Sequence, residues 1–223
     1  MTILVIAPHA DDEILGCGGI INKYSAEGHE IIVLITTNAS VGAPELYNPH
    51  RVENVRKEAL EAHKIVGVSE TRFLELPAPK LDVYPLYKIA DDISELIKTK
   101  EPEWLLIPHR GDSHKDHLRI FDAAMIAARP INNCSVNKIL AYETLSETEW
   151  AVPNGNSYFI PNVYISIEDN LDLKVQAFKK YNSQLKEFPH PRSEGGIISL
   201  ARYRGSTISS RAAEAFQLIR EIN

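Results

Sequence analysis

Residues 3–13 read Ile3-Leu4-Val5-Ile6-Ala7-Pro8-His9-Ala10-Asp11-Asp12-Glu13. The first five are a short β-rich apolar run bounded by Pro, the pattern of a buried strand. The imidazole and three acids that follow therefore emerge at its carboxyl end, where open α/β sheets keep their ligands. Beyond them, Ile14 to Glu27 reads as a helix stopped by Gly28, and Glu30 to Thr36 as a second buried strand. Strand, helix, strand implies a parallel pair with a right-handed crossover. The alternation continues with a loop over Thr37 to His50, long enough for a lid or binding loop. An amphipathic helix over Arg51 to Val66 ends at Gly67, and a short strand lies around Arg72-Phe73-Leu74. A Pro-rich loop over Pro77 to Pro85, a helix over Tyr87 to Lys100 and a strand over Trp104 to Pro108 complete this half.

Four strands alternating with helices predict a parallel α/β sheet covered on both faces. A helix over His117 to Arg129 and strands over Lys138 to Glu143 and Val163 to Ile167 follow, the strands separated by a loop with Pro153, Asn154 and Gly155. The spacing predicts further helices over Asp172 to Lys186, Glu194 to Tyr203 and Arg211 to Ile222. The expected architecture is a single α/β domain over residues 1–223, a Rossmann-like, doubly wound, mostly parallel sheet flanked by helices.

The chain of 223 residues has 44% hydrophobic residues, enough for one sizeable core. Its 24 basic against 30 acidic residues, net −6, offer no basic stripe, which argues against nucleic acid and anionic membrane as partners and favours a small-molecule substrate. Two cysteines, Cys17 and Cys134, make no disulfide framework, and neither a signal-peptide pattern nor a membrane-length apolar run is present. The expected compartment is the cytoplasm; a homo-oligomer is left open. Gly16-Cys17-Gly18-Gly19 does not read as a dinucleotide loop, because His9 and the acids occupy the turn where a pyrophosphate would sit.

If a helix starts near Asp11, residues three apart stack, so His9 and Asp12 converge on one point while Asp11 points elsewhere. Imidazole and carboxylate together suit a divalent metal such as zinc. A third ligand must come from another loop at the same sheet edge. The comparable cluster is His109-Arg110-Gly111-Asp112-Ser113-His114-Lys115-Asp116-His117, which also follows a strand. In a doubly wound sheet the first strands of the two halves are neighbours, so the two loops face each other. With His117 the set is two histidines and a carboxylate, the open three-ligand arrangement of a catalytic zinc, and one that also suits non-haem iron(II). Alone, Asp11-Asp12-Glu13 could simply cap a helix and complement its dipole. Two such clusters at one edge, supplying ligands plus uncommitted acids and bases, favour a site. Glu13 reads as a cap or supporting group and His63 as a partly exposed bystander.

Pro8-His9-Ala10-Asp11-Asp12-Glu13 together with Asp112-Ser113-His114-Lys115-Asp116-His117 resembles the LmbE/PIG-L family of zinc-dependent N-deacetylases, which act on N-acetylglucosamine-containing molecules. Lys174 to Phe188, Pro189-His190-Pro191-Arg192-Ser193 and Ala213-Glu214-Ala215-Phe216 are similar to it as well. The family's usual first motif has Pro where this chain has Ala10, a change of loop stiffness and not of ligand chemistry. The resemblance implies one zinc per chain on His9, Asp12 and His117, with iron(II) as the alternative. It implies Asp11 as the general base toward water, His114 as acid or oxyanion partner, and Asp116 as the group orienting His114. Where the family places an Arg this chain has Val55, leaving Arg51 and Arg56 as candidates to meet the substrate. His190 and Arg192, in a stiff Pro-flanked loop, are further candidates. The implied reaction is hydrolysis of the N-acetyl group of an amino-sugar derivative. The alternatives are an amidase of a glucosaminyl thiol conjugate and a non-catalytic sugar- or nucleotide-binding protein of the same fold.

Overall fold

Strand β1 (Thr2–Ala7) runs through the middle of the sheet. Ile3, Val5 and Ala7 join one apolar core, while Leu4 and Ile6 join the other. A strand with no solvent face needs an unbroken apolar run, which is what the sequence supplies. The computed structural model describes residues 1–223 apart from 153 and 156, so Pro153 of the expected loop lies outside the described residues. The other described strands are β2 (Glu30–Asn38), β3 (Glu70–Pro77), β4 (Trp104–Pro108), β5 (Lys138–Tyr142), β6 (Val163–Ser166) and β7 (Ala213–Glu221). They form one sheet in the order β3-β2-β1-β4-β5-β7-β6, with β1 to β5 parallel and β7 antiparallel to both its neighbours. This is the expected doubly wound, mostly parallel α/β fold.

Helices α1 (Asp12–Ala26), α3 (Pro49–Val66) and α6 (Leu171–Phe178) cover the face shared by Ile3 and Val5. On the opposite face lie α4 (Leu86–Lys100) and α5 (Lys115–Ala127), packed on Leu4 and Ile6. The short α2 (Ala39–Gly42) follows β2, and α7 (Glu194–Ser206) precedes β7. Helix α3 starts at Pro49, two residues before the expected start. Asn48 accepts from the His50 amide at 2.8 Å, and Pro is tolerated at the first helical position because its missing N–H would have no partner. At the other end Gly67, at φ 81°, adopts the left-handed C-cap that other residues resist. Among the described residues no helix is long and apolar enough to cross a membrane.

Two expected elements differ. The helix over Asp172 to Lys186 ends at Phe178, after which the chain turns so that Tyr181 enters the core. The closing helix over Arg211 to Ile222 is instead strand β7, inserted between β5 and β6. Ala, Glu, Leu and Arg are helix formers, but tertiary pairing overrides so weak a preference. Glu214 is buried and accepts from the amides of Gly19 at 2.8 Å and Ile20 at 2.7 Å. Lys174 Nζ, equally buried, donates to Glu214 Oε1 at 2.6 Å and to the Leu15 carbonyl at 2.8 Å. The strand is thus tied through its one buried acid to the middle of α1.

Removing one partner of a buried ion pair leaves the other charge uncompensated, which costs more than the pair itself contributes. Lys174→Met is therefore expected to lower the unfolding free energy by about 3–5 kcal/mol, read as a drop in melting temperature of roughly 2–4 °C per kcal/mol for a domain of this size.

Candidate metal and catalytic site

β1 and β4 pair in parallel, with Ile3 opposite Trp104 and Val5 opposite Leu106, so their following loops meet at the carboxyl edge. His9 Nδ1 lies 3.3 Å from Asp12 Oδ2, and His117 Nε2 lies 3.3 Å from the same oxygen. One donor atom from each of the three falls within 4.8 Å of the others. Donors sharing a tetrahedral ion at ~2.1 Å would sit about 3.4 Å apart, so the spacing fits a common cation. Asp12 Oδ1 and His117 Nε2 are buried with no hydrogen-bond partner among the described residues, an arrangement a cation would satisfy.

Behind each imidazole stands a carboxylate. His117 Nδ1–H faces Asp112 Oδ2 at 2.8 Å, and Asp112 Oδ1 accepts from the Thr148 hydroxyl at 2.6 Å. His9 Nε2 faces Asp116 Oδ2 at 3.2 Å, and Asp116 Oδ1 accepts from the Leu81 amide at 3.2 Å. Such partners set the tautomer of the neutral rings, so that the inward nitrogens are the ones free to bind a cation. Asp116, expected to orient His114, is nearer His9; its carboxylate is 3.8 Å from His114 Nδ1. Instead His114 Nδ1 accepts the Asp116 backbone N–H at 3.1 Å, capping α5. With Nδ1 an acceptor, the proton of a neutral His114 resides on Nε2.

Without a cation the cluster holds protons. Burial pushes the His9 imidazole down, but hydrogen bonds to Asp116 and Asp12 outweigh it and carry its pKa up to about 9. His117 also ends well above its usual value, burial being overcome by Asp12 and by the Asp112 bond. Burial would raise Asp12, yet His117 and His9 hold it well below the usual carboxylate range. Asp11 is different: burial drives its carboxyl up to about 7 against the opposing pull of Arg192. Burial and the neighbouring His9 lower His114.

Asp11 lies outside the ligand group. Its backbone sits at φ 127°, and its Oδ2 accepts from Arg192 at 3.1 Å. Asp11, His9 and His114 line a cavity of about 310 Å³ whose walls include Arg51, Arg56 and Arg192. Arg56 is held by Glu75 at 2.6 Å and the Leu74 carbonyl at 3.0 Å, whereas Arg51 is exposed at the rim. Val55 also lines this wall. His190 is not part of the lining; its ring packs edge-on to Trp150, and its Nδ1 accepts the Arg192 amide at 3.0 Å.

Asp112, Glu147 and Gln184 join the site without having been expected. Asp112 was discoverable, since it opens the second motif five residues before His117. Glu147, 3.5 Å from Arg192, comes from a loop that carries no periodic signal. His63, expected as a partly exposed bystander, is 2% exposed and lies 3.1 Å from the buried Glu13.

An α/β sheet whose carboxyl edge gathers a His/Asp/His group able to hold a divalent cation, beside a carboxylate outside that group and a cavity, defines a metal-assisted hydrolase class. The family described as PIG-L, GlcNAc-PI de-N-acetylase, matches residues 4–128. The uncharacterized deacetylase YaiS of Escherichia coli is 28% identical over 187 residues, 81% of this chain and 90% of that one. The diacetylchitobiose deacetylase of Thermococcus kodakarensis is 25% identical over 228 residues, covering 97% of this chain and 82% of its own. The solved N,N'-diacetylchitobiose deacetylase of Pyrococcus horikoshii superposes with a TM-score of 0.78 at 23% identity, covering 98% of this chain and 84% of that one. This chain belongs to the PIG-L/LmbE family and is a deacetylase, hydrolysing an amide bond.

Two outcomes are expected of the metal group. Because a cation must displace the His9 proton, zinc affinity should climb with pH from neutrality to about 9, with protons released on binding, as chelator competition and calorimetry in buffers of different ionisation enthalpy would show. Asp112→Ala, which frees the His117 tautomer, should weaken zinc binding about 10- to 100-fold while Asp12→Ala abolishes it, both read as metal content after dialysis.

Proposed function

We propose that the protein removes the N-acetyl group from an N-acetylglucosamine-type amino-sugar derivative, using one zinc ion, with iron(II) as the alternative, on His9, Asp12 and His117. The observation that carries this reading is Asp11, a carboxylate bound to no imidazole, lining the cavity beside the orphaned donors of Asp12 and His117. A binding protein needs no such group there. The relatives' names support the sugar: one is a diacetylchitobiose deacetylase, and another, 24% identical, is a probable N-acetyl-α-D-glucosaminyl L-malate deacetylase. A cavity of about 310 Å³ is at the small end of ligand sites, suited to one pyranose and a modest aglycone.

A divalent cation in this position supplies Lewis-acid polarisation of a carbonyl and acidifies water. The side chains do the rest. Asp11 takes a proton as water adds to the amide carbon, and a positioned base of this kind contributes about 10²- to 10⁴-fold. His114, with Nε2–H free, donates to the carbonyl oxygen as negative charge develops there. As the C–N bond breaks, the proton held on Asp11 passes to the leaving nitrogen, giving acetate and the amine. Arg192 opposes the protonation of Asp11 that burial favours, and joins Arg51 and Arg56 along the wall open to the sugar's substituents. The unpaired Cys17 and Cys134 suit a reducing cytoplasm.

Asp11→Asn is expected to lower amine release from a panel of N-acetylglucosamine conjugates by at least about 10²-fold while zinc content stays at one ion per chain. Wild-type turnover in that variant would refute the assignment of the base, and release of no amine by the wild type from any panel member would refute the substrate class.

A further inference from the structure

We propose that Glu13, clamped by His63 and Tyr181, is a positioning residue that fixes Asp11 in its working conformation; this rests on the reading of Asp11 as the base. Asp11 adopts φ 127°, ψ −26°, a region that an L residue rarely occupies. Such a backbone costs about 1–3 kcal/mol and persists only where its surroundings over-determine it. Four hydrogen bonds on three of its polar atoms do so. The Asp11 N–H donates to Glu13 Oε2 at 3.1 Å, its carbonyl accepts from the amides of Ile14 and Leu15 at 3.2 and 3.0 Å, and its Oδ2 accepts from Arg192. The carbonyl bonds are what any helix start makes. The Glu13 contact is the one that is built.

Glu13 is fully buried and does not line the cavity. Its Oε1 accepts from the Tyr181 hydroxyl and from His63 Nε2–H at 3.1 Å, while His63 Nδ1 is hydrogen-bonded to the Thr71 hydroxyl at 2.8 Å. Both oxygens of Glu13 therefore face donors only, and the carboxylate is fully engaged within the chain Thr71–His63–Glu13–Asp11. A Glu reaching back to the amide of an N-cap residue resembles half of a capping box, although here it stands one position earlier than that motif requires. Capping alone is served by an exposed side chain and gives no reason to bury a carboxylate under an imidazole and a phenol. The donors come from α3, which carries Arg51 and Arg56, and from the segment after α6, which leads to Gln184 and Arg192. One carboxylate thus ties the backbone of the base to both walls of the cavity. It acts through Asp11 and touches no substrate.

The test uses the metal-loaded protein and a conjugate that the wild type turns over. Glu13→Gln replaces one acceptor by an amide nitrogen, and Tyr181→Phe removes a single hydroxyl. Both are expected to stay folded with one metal ion per chain and to lower kcat about 10- to 100-fold, as a displacement of about 1 Å would, with KM within about two-fold of wild type. Placed on Asp11→Asn, Tyr181→Phe is expected to change the residual kcat by less than about two-fold, because misplacing a base already removed has no further effect. A general structural role would instead lower kcat by the same factor in both backgrounds, and that result overturns the proposal. So does wild-type kcat in both single variants beside an inactive Asp11→Asn, which leaves the base itself standing. Wild-type kcat in Asp11→Asn alone removes the base and this inference with it. If Glu13→Gln does not fold, Tyr181→Phe in the two backgrounds decides.

Discussion

Three consecutive carboxylates, Asp11, Asp12 and Glu13, are buried to 2%, 0% and 0% exposure, and the molecule is arranged around neutralising them. A charge taken out of water costs several kcal/mol unless it is paired and hydrogen-bonded. Adjacent residues at a helix start point in different directions, so no single cation can serve all three. Each draws its partner from a different part of the chain: Arg192 for Asp11, His9 and His117 for Asp12, His63 and Tyr181 for Glu13. The loop after β1 therefore specifies where α5, α3 and the segment beyond α6 must stand. That a functional edge and a folding constraint coincide follows from burying the charges at all.

The two histidines of the metal group show the same logic one layer out. Each turns one nitrogen inward and offers the other to a carboxylate, Asp116 for His9 and Asp112 for His117. The carboxylates in turn accept from Leu81 and Thr148, groups on separate loops. Negative charge thus accumulates around the centre faster than positive charge does. The high imidazole pKa values are the proton-loaded form of a site whose donor set suits a dication.

The parallel half of the fold was legible because its strands are buried on both faces and read as continuous apolar runs, Ile3–Ala7 and Trp104–Pro108 above all. The meeting of His9, Asp12 and His117 followed from that order, since strands that neighbour at the switch point carry their loops together. The antiparallel half was not legible. Ala213–Glu221 has the composition of a helix, and its state is decided by the free edge of β5 and by donors for Glu214 that lie almost two hundred residues earlier. His63 was misread for a related reason: one histidine among Lys64, Glu61 and Glu58 on a charged helix gives no local sign that Glu13 waits beneath it. Pairings between distant buried polar groups leave no period in the sequence.

Helix α1 shows how the site is kept rigid on an intrinsically weak element. Gly16, Gly18 and Gly19 stand in its interior, each worth about 1 kcal/mol less than Ala in helix propensity. Close approach is what they allow: a Cβ on Gly16 would lie 2.3 Å from the Tyr142 ring, and one on Gly19 would lie 2.6 Å from Ile167. Packing of this kind fixes the distance of the helix from the sheet but resists sliding poorly, because a smooth glycine surface has few knobs to lock its register. Polar pins supply that lock. Glu214 holds the amides of Gly19 and Ile20 in the middle, Lys174 holds the Leu15 carbonyl one turn earlier, and His63 and Tyr181 hold the Glu13 carboxylate at the start. A shift of one residue along the helix would leave two buried acids without their donors at once, so the position of Asp11 and Asp12 is fixed by groups that do not line the cavity.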